Sequence, residues 1–121
     1  MLDAQELADE YVAVWNERDP ERRRQQIAAL WVPDGQHYVD VREARGYDAL
    51  EQRIVGSYNK NVRDGSHRFR VAKDARSLRD IVTLDWEMLL AAEERVVARG
   101  FAVLSVDGEG RILVDYQFIV N

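Results

Sequence analysis

The sequence contains no cysteine. That absence excludes a disulfide framework, a zinc-thiolate or iron–sulfur site, and a thiol nucleophile. Long apolar runs are missing as well. The longest, such as Ile27 to Val32, fall far short of the ~20 residues a membrane span needs, so no membrane partner is expected. Nor is there an excess of positive charge: 17 Lys and Arg stand against 22 Asp and Glu, a formal net charge of −5. Affinity for a phosphate backbone comes from cations that neutralise it, so nucleic acid is not an expected partner. The run Arg22-Arg23-Arg24 has no interleaved aromatic and reads as the solvated face of a helix. Prolines number only two, Pro20 and Pro33, both at predicted boundaries, and no Pro/Gly/Ser-rich linker or repeat divides the chain. No basic apolar leader precedes the first amphipathic segment, and a cytoplasmic location is expected.

What is present is 121 residues, 46% of them apolar. That suffices for one domain over residues 1–121 whose core buries roughly two-thirds of the surface of the unfolded chain. Asp3 and Glu6 form a capping box, and Leu7, Tyr11, Val14 and Trp15 recur at helical spacing, predicting a helix to about Arg18. Asp19-Pro20, an N-cap followed by proline at the first helical position, opens a second helix. That helix carries Ile27, Leu30 and Trp31 inward and ends in a turn at Pro33-Asp34-Gly35. A short strand over Gln36 to Val41 follows, and Arg42 to Gly46 leads to a third helix. There Asp48 and Glu51 repeat the capping pattern, Tyr47, Leu50, Ile54 and Tyr58 form one stripe, and Asp64-Gly65 is the stop. Beyond Gly65 the pattern is β: Ser66 to Lys73, Ser77 to Leu90, Glu94 to Val106 and Arg111 to Val120, the last three in a meander. Helices first and strands afterwards predict an α+β fold, three helices packed on a strongly bent sheet.

Along Ser77 to Leu90 the alternation is regular, with Val82, Leu84, Trp86, Met88 and Leu90 on one face and Thr83, Asp85 and Glu87 on the other. The final strand is apolar on both faces. Ile112, Val114, Tyr116, Phe118 and Val120 share one, and Leu113, Asp115, Gln117 and Ile119 the other. A single layer of helices covers only one face of a sheet. The second face is therefore expected to be buried by a second subunit in an isologous homodimer.

Four ordered motifs carry a resemblance: Tyr11 to Asp19, Leu30-Trp31-Val32-Pro33-Asp34-Gly35, Arg45 to Leu50, and Asp107-Gly108-Glu109-Gly110-Arg111-Ile112. They are spread over nearly the whole chain. In order and spacing they resemble the nuclear transport factor 2-like superfamily, which includes SnoaL-like polyketide cyclases, ketosteroid isomerase and scytalone dehydratase. The resemblance implies a cone-shaped, cystatin-like α+β barrel with a mixed, mainly antiparallel sheet, and a pocket between its concave face and the helices. Tyr11 matches the oxyanion-hole tyrosine of ketosteroid isomerase. The oxyanion aspartic acid falls on Ala102, and the first-strand base on Val39 or, with a bulge, on Asp40. The His-Trp-Asp run of SnoaL-like cyclases falls on Asp115, Tyr116 and Gln117. An amide takes no proton at neutral pH, so chemistry on that strand rests on Asp115.

Two histidines are available, His37 and His67. Histidine is the side chain whose unperturbed pKa lies nearest neutrality. His67 alternates with Phe69 and Val71 and points inward, whereas a bulge after Gly35 decides whether His37 or Tyr38 does. Two histidines and an aspartate are similar in type to the pocket of scytalone dehydratase. The candidate catalytic set is His37, His67 and Asp115 with Tyr11 and Asp40. A histidine would remove a proton beside a carbonyl, and Tyr11 or Tyr58 would hydrogen-bond the enolate. Candidate binding residues are Trp15, Trp31, Tyr38, Tyr58, Phe69, Leu84, Trp86, Met88 and Gln117, whose bulk would line an apolar pocket or simply pack a core. No spacing motif supports a metal site, and neither metal nor cofactor is expected. Arg42 to Arg45, at the predicted mouth, is either a solvated loop or a contact for an anionic group. The sequence thus predicts a SnoaL-like protein taking a small hydrophobic ligand, as an isomerase, cyclase or dehydratase or as a non-catalytic binding or dimerisation module.

Overall fold

The computed structural model describes residues 3–72 and 74–120, so Lys73, the predicted end of one strand, lies outside the described residues. Helix α1 (Ala4–Asn16) begins as expected, with the Asp3 carboxylate accepting from the Glu6 amide. Its apolar stripe, including Leu7, Tyr11, Val14 and Trp15, is buried. Helix α2 (Pro20–Leu30) starts on the Asp19 cap with proline at its first turn. Two readings of this segment are corrected. Trp31 does not belong to the helix: it is the first residue of strand β1 (Trp31–Val39), where it is fully buried. Pro33-Asp34-Gly35 does not terminate the helix either, but interrupts β1, whose register with the last strand jumps between Trp31 and Gln36. Proline has no amide to give a ladder, and a Cβ on Gly35 would lie 2.7 Å from the Trp31 indole, so backbone and ring share that space.

The Arg22-Arg23-Arg24 run is likewise not wholly solvated. Arg23 is buried, donates to the Glu17 carbonyl, and lays its guanidinium over the Tyr58 ring at 4.9 Å. Arg42 to Arg45 is strand β2, hairpinned to β1 through Asp40-Val41, with Asp40 in the left-handed region at φ 54°. Helix α3 (Tyr47–Ser57) is capped by Gly46, not Asp48, because Gly46 at φ 86° takes a conformation that side chains rarely adopt. It runs on into a π-helical segment (Tyr58–Arg63) before Asp64-Gly65.

Strands β3 (His67–Val71), β4 (Arg76–Leu78), β5 (Ile81–Leu90), β6 (Arg95–Val106) and β7 (Ile112–Val120) follow. The predicted strand from Ser77 to Leu90 is thus a hairpin. Its turn escapes notice because Arg79, not glycine, takes the positive φ of 54° there. The sheet order is β2-β1-β7-β6-β5-β3, with β4 also on β5. Only β1 and β7 pair in parallel among these neighbours. It is an open, curved sheet, not a closed barrel, with β2 and β3 at its edges. No helix among the described residues is long and apolar enough to cross a membrane.

Two bulges revise the predicted faces. Across β6 and β7 the register slips at Leu113, which turns Ile112 inward beside Asp115 and Gln117. Across β5 and β6 it slips at Val97 of β6, while on β5 Leu90 keeps the face of its partner His67 and its neighbour Leu89 is fully buried. The remaining alternation places Val82, Leu84 and Trp86 against the helices. Asn16 fastens α1 to the sheet by a two-way amide clamp, donating to the Phe69 carbonyl and accepting from its amide, both at 2.8 Å. Trp86 faces Gly100 on β6 and lies flat over it: a Cβ on Gly100 would sit 2.1 Å from the indole. Gly100→Ala is expected to lower stability by about 1–3 kcal/mol through this overpacking, read as a lower urea midpoint with an unchanged slope.

Candidate active site

Strand pairing brings the polar residues of three elements to one point on the concave face. His37 on β1 stands opposite Asp115 on β7, and Val39 opposite Gln117. The bulge before Gln36 sends His37 inward, while Tyr38 takes the outer face and stacks on Tyr116 at 5.8 Å. Tyr11 descends from α1 onto the same spot. Its hydroxyl donates to Asp115 Oδ2 at 2.6 Å, and His37 Nδ1 meets the same oxygen at 2.8 Å. The Gln117 amide nitrogen donates to Asp115 Oδ1 and, at 2.7 Å, to the Tyr11 hydroxyl. The Gln117 carbonyl accepts from the Trp86 indole at 2.8 Å.

Asp115 is wholly inaccessible to solvent. A carboxylate taken out of water costs several kcal/mol unless donors replace the water, and here three side chains do so. Both Tyr11 and His37 address Oδ2, and an ionised carboxylate only accepts, so His37 Nδ1 carries the hydrogen of that contact; in a neutral imidazole the other nitrogen, Nε2, carries a lone pair. That Nε2 is buried with no partner. Burial first, and then the negative charge of Asp115, hold the Tyr11 hydroxyl protonated far above its ordinary value of 10.0. Tyr11 is thus a proton donor already committed to Asp115 and has none left for an enolate.

Next to this network lies a cavity of about 190 Å³. Tyr11, Trp15, His37 and Gln117 line it together with Phe69, Trp86 and Met88, so much of the expected set comes together. Asp115 supports the site from behind. Other candidates lie elsewhere. Trp31 and Leu84 are core residues outside the lining, Tyr58 packs under Arg23, and Asp40 is exposed on the β1–β2 turn. His67 is on the inner face but beyond the cavity, with Nδ1 3.2 Å from the Asn61 carbonyl. Val39 lines the cavity where the resemblance allowed Val39 or Asp40, and Ala102 is a buried core residue.

Arg42 on β2, in the segment expected either at the mouth as an anion contact or as a solvated loop, lines the cavity; sequence reasoning missed the rest of the polar wall, Arg53, Ser57 and Asn61 from α3 and its π-helical continuation. One signal was available. Positions 53, 57 and 61 recur every four residues, one helical stripe beside the apolar stripe of Leu50 and Ile54. The Arg53 guanidinium lies 5.3 Å over the Trp15 ring, and burial followed by the nearby charge of Arg42 lowers its pKa. Among the described residues no three His, Asp or Glu side chains gather as metal ligands would.

No protein-family model matches the chain, and no curated protein matches its sequence. Solved structures do. A candidate isomerase of the SnoaL-like family from Agrobacterium tumefaciens superposes with a TM-score of 0.88 at 23% identity, over 99% of this chain and 100% of that one. A candidate polyketide cyclase from Sinorhizobium meliloti gives 0.70 at 11% identity, over 96% and 99%. An NTF2-like protein of unknown function from Exiguobacterium gives 0.71 at 16% identity, over 95% and 98%. The chain has the nuclear transport factor 2-like fold.

The raised Tyr11 pKa makes the native state bind a proton that the unfolded chain releases above the ordinary tyrosine value, so stability falls as pH rises past 10.0. Tyr11→Phe is expected to cost about 1–3 kcal/mol at neutral pH, because Asp115 and Gln117 each lose a partner. It should also flatten the alkaline decline, measured as urea midpoints between pH 8 and 11.

Proposed function

We propose that this protein binds a small, mostly apolar carbonyl compound in its cone and moves a proton on it without a cofactor, as an isomerase, cyclase or dehydratase. The observation that carries this reading is the His37–Asp115 pair, 2.8 Å apart, in which His37 is a residue of the cavity wall and its Nε2 has no partner among the described residues. Asp115 holds the ring in one tautomer and balances the charge that forms when Nε2 accepts a proton. His37 takes the proton from the carbon beside the carbonyl, and the enolate oxygen forms within hydrogen-bond range of a donor in the wall. Ser57 suits that role, since its oxygen accepts from Asn61 at 3.2 Å and its own hydrogen is free to donate. Return of the proton to another carbon completes an isomerisation. Its delivery to a departing β-hydroxyl completes a dehydration.

Size limits the substrate. A cavity of about 150 Å³ holds benzene, so one of about 190 Å³ suits a single ring or a short chain, not a steroid. The candidate isomerase and candidate polyketide cyclase among the similar structures support the reaction class. We place the protein in the cytoplasm as a homodimer. The support for the dimer is the outer sheet face, where Tyr38, Tyr116, Phe118, Phe101 and Val103 adjoin and Phe118 stays 56% exposed. Arg99, Glu87 and Arg70 pair along its border, leaving the centre apolar.

Deuterium uptake from D2O beside the carbonyl of cyclohexanone, followed by NMR, tests the chemistry. The protein is expected to accelerate uptake, His37→Gln to reduce that acceleration by about 10²–10⁴-fold, and His67→Ala to leave it unchanged. Binding of cyclohexanone with no acceleration overturns catalysis in favour of a ligand-binding module. Light scattering tests the dimer: the protein should run at twice its mass and Phe118→Asp as a monomer, and a wild-type monomer at micromolar concentration removes that part.

A further inference from the structure

The cavity wall is cationic at one place and nowhere acidic. Two arginines, Arg42 and Arg53, line it, and among the described residues no aspartate or glutamate does. Several arginines elsewhere in the molecule are matched to carboxylates: Arg24 with Glu51, Arg68 with Glu94, Arg70 with Glu87. Among the described residues neither Arg42 nor Arg53 makes an ion pair or a side-chain hydrogen bond, and Arg53 Nε is buried without an acceptor. A buried donor left without a partner is uncommon and calls for an explanation.

We propose that the ligand of this cavity is a small carboxylic acid, its carboxylate held by Arg53 and Arg42 and its apolar body directed toward His37. The proposal rests on the reading of the cavity as a small-molecule site and names the class of molecule that enters it.

The physical reasons are geometric and electrostatic. Arg53 is fixed from below, its guanidinium stacked over Trp15, so its planar donor fork is oriented before a ligand arrives. Arg42 reaches the same cavity from β2, where it stands opposite Val39 on the concave face and remains exposed. It therefore marks the open end. Each cation disfavours the other, and the negative group that acts on Arg53 within the protein is Asp115, whose oxygens already serve Tyr11, His37 and Gln117. An incoming carboxylate relieves both charges, and a planar carboxylate matches an arginine fork with two parallel hydrogen bonds. Trp15, Phe69, Trp86 and Met88 form the apolar part of the wall, and the remaining polar side chains of the lining, Tyr11, Ser57, Asn61, Gln117 and His37, carry no net cation to compete with the two arginines for a carboxylate. The matching substrate is a keto acid of one ring or a short chain, its carboxylate at the mouth and its enolisable carbon at the histidine.

Calorimetric titration of the full chain with benzoate, its neutral counterpart benzamide, and inorganic phosphate tests this at neutral pH. Benzoate is expected to bind about tenfold or more tighter than benzamide, the size of one charge-assisted pair. Arg53→Gln and, separately, Arg42→Gln should reduce that preference while changing the benzamide Kd by no more than about twofold. If removing the half-buried Arg53 guanidinium unfolds the protein, Arg42→Gln at the exposed position still decides the matter. Equal affinity for benzoate and benzamide, a preference that survives both substitutions, or phosphate binding as tightly as benzoate overturns the carboxylate assignment and leaves the small-molecule site intact. Failure of all three to bind overturns both.

Discussion

A carboxylate removed from water has to be given donors, and the Asp115 carboxylate is fully buried. The donors come from three elements: Tyr11 from α1, His37 from β1 and Gln117 from β7 itself. Helix α1 can lie only where its tyrosine reaches the sheet, and β1 can pair with β7 only in the register that puts His37 opposite Asp115. The same requirement shapes neighbouring positions. Gln117 is oriented by the Trp86 indole, and Trp86 lies over the sheet because Gly100 has no side chain. One buried charge thus aligns a helix, two strands and a glycine, and leaves a histidine of the cavity wall with one unpartnered ring nitrogen.

The two faces of the sheet follow different rules. The concave face is covered by the helices and is apolar except at the network and at the arginines of the mouth. Its register depends on bulges, at Pro33 to Gly35 in β1, at Val97 in β6 and at Leu113 in β7. Each slips the pairing, and a slip of one residue exchanges the faces of everything beyond it. Among the described residues the convex face has no such cover. Stacked and tilted ring pairs, Tyr38 with Tyr116 and Phe101 with Phe118, shield one another there but stay partly open to solvent.

Local signals in the chain carried the parts of the fold that local chemistry decides. Caps at Asp3 and Asp19 were legible because a side chain reaches its own backbone two or three residues on. Other features left weaker marks. The β4–β5 turn has Arg79 where a glycine would signal a hairpin, and the cap of α3 passed from Asp48 to Gly46 because backbone conformation outranked side-chain capping there. Within the site, Tyr11, His37, Asp115 and Gln117 were recognisable as residue types. Arg53, Ser57 and Asn61 were not, since a polar stripe on a helix looks the same whether it meets solvent or a cavity.

The sequence by itself determined the order of helices and strands, the α+β class, the nuclear transport factor 2-like fold and the surplus of apolar residues over what one helical layer covers. The element order, the class and the surplus are properties of periodicity and composition, which act over a few residues at a time, whereas the fold came from the resemblance carried by four ordered motifs. Only the tertiary structure decided that His37 and not Tyr38 turns inward, that His67 stays outside the cavity, that Tyr11 spends its proton on Asp115, and that two arginines share one opening. Each of those outcomes depends on strand register and on contacts between residues far apart in the chain. A single bulge reverses the first, and no local pattern encodes where the others meet.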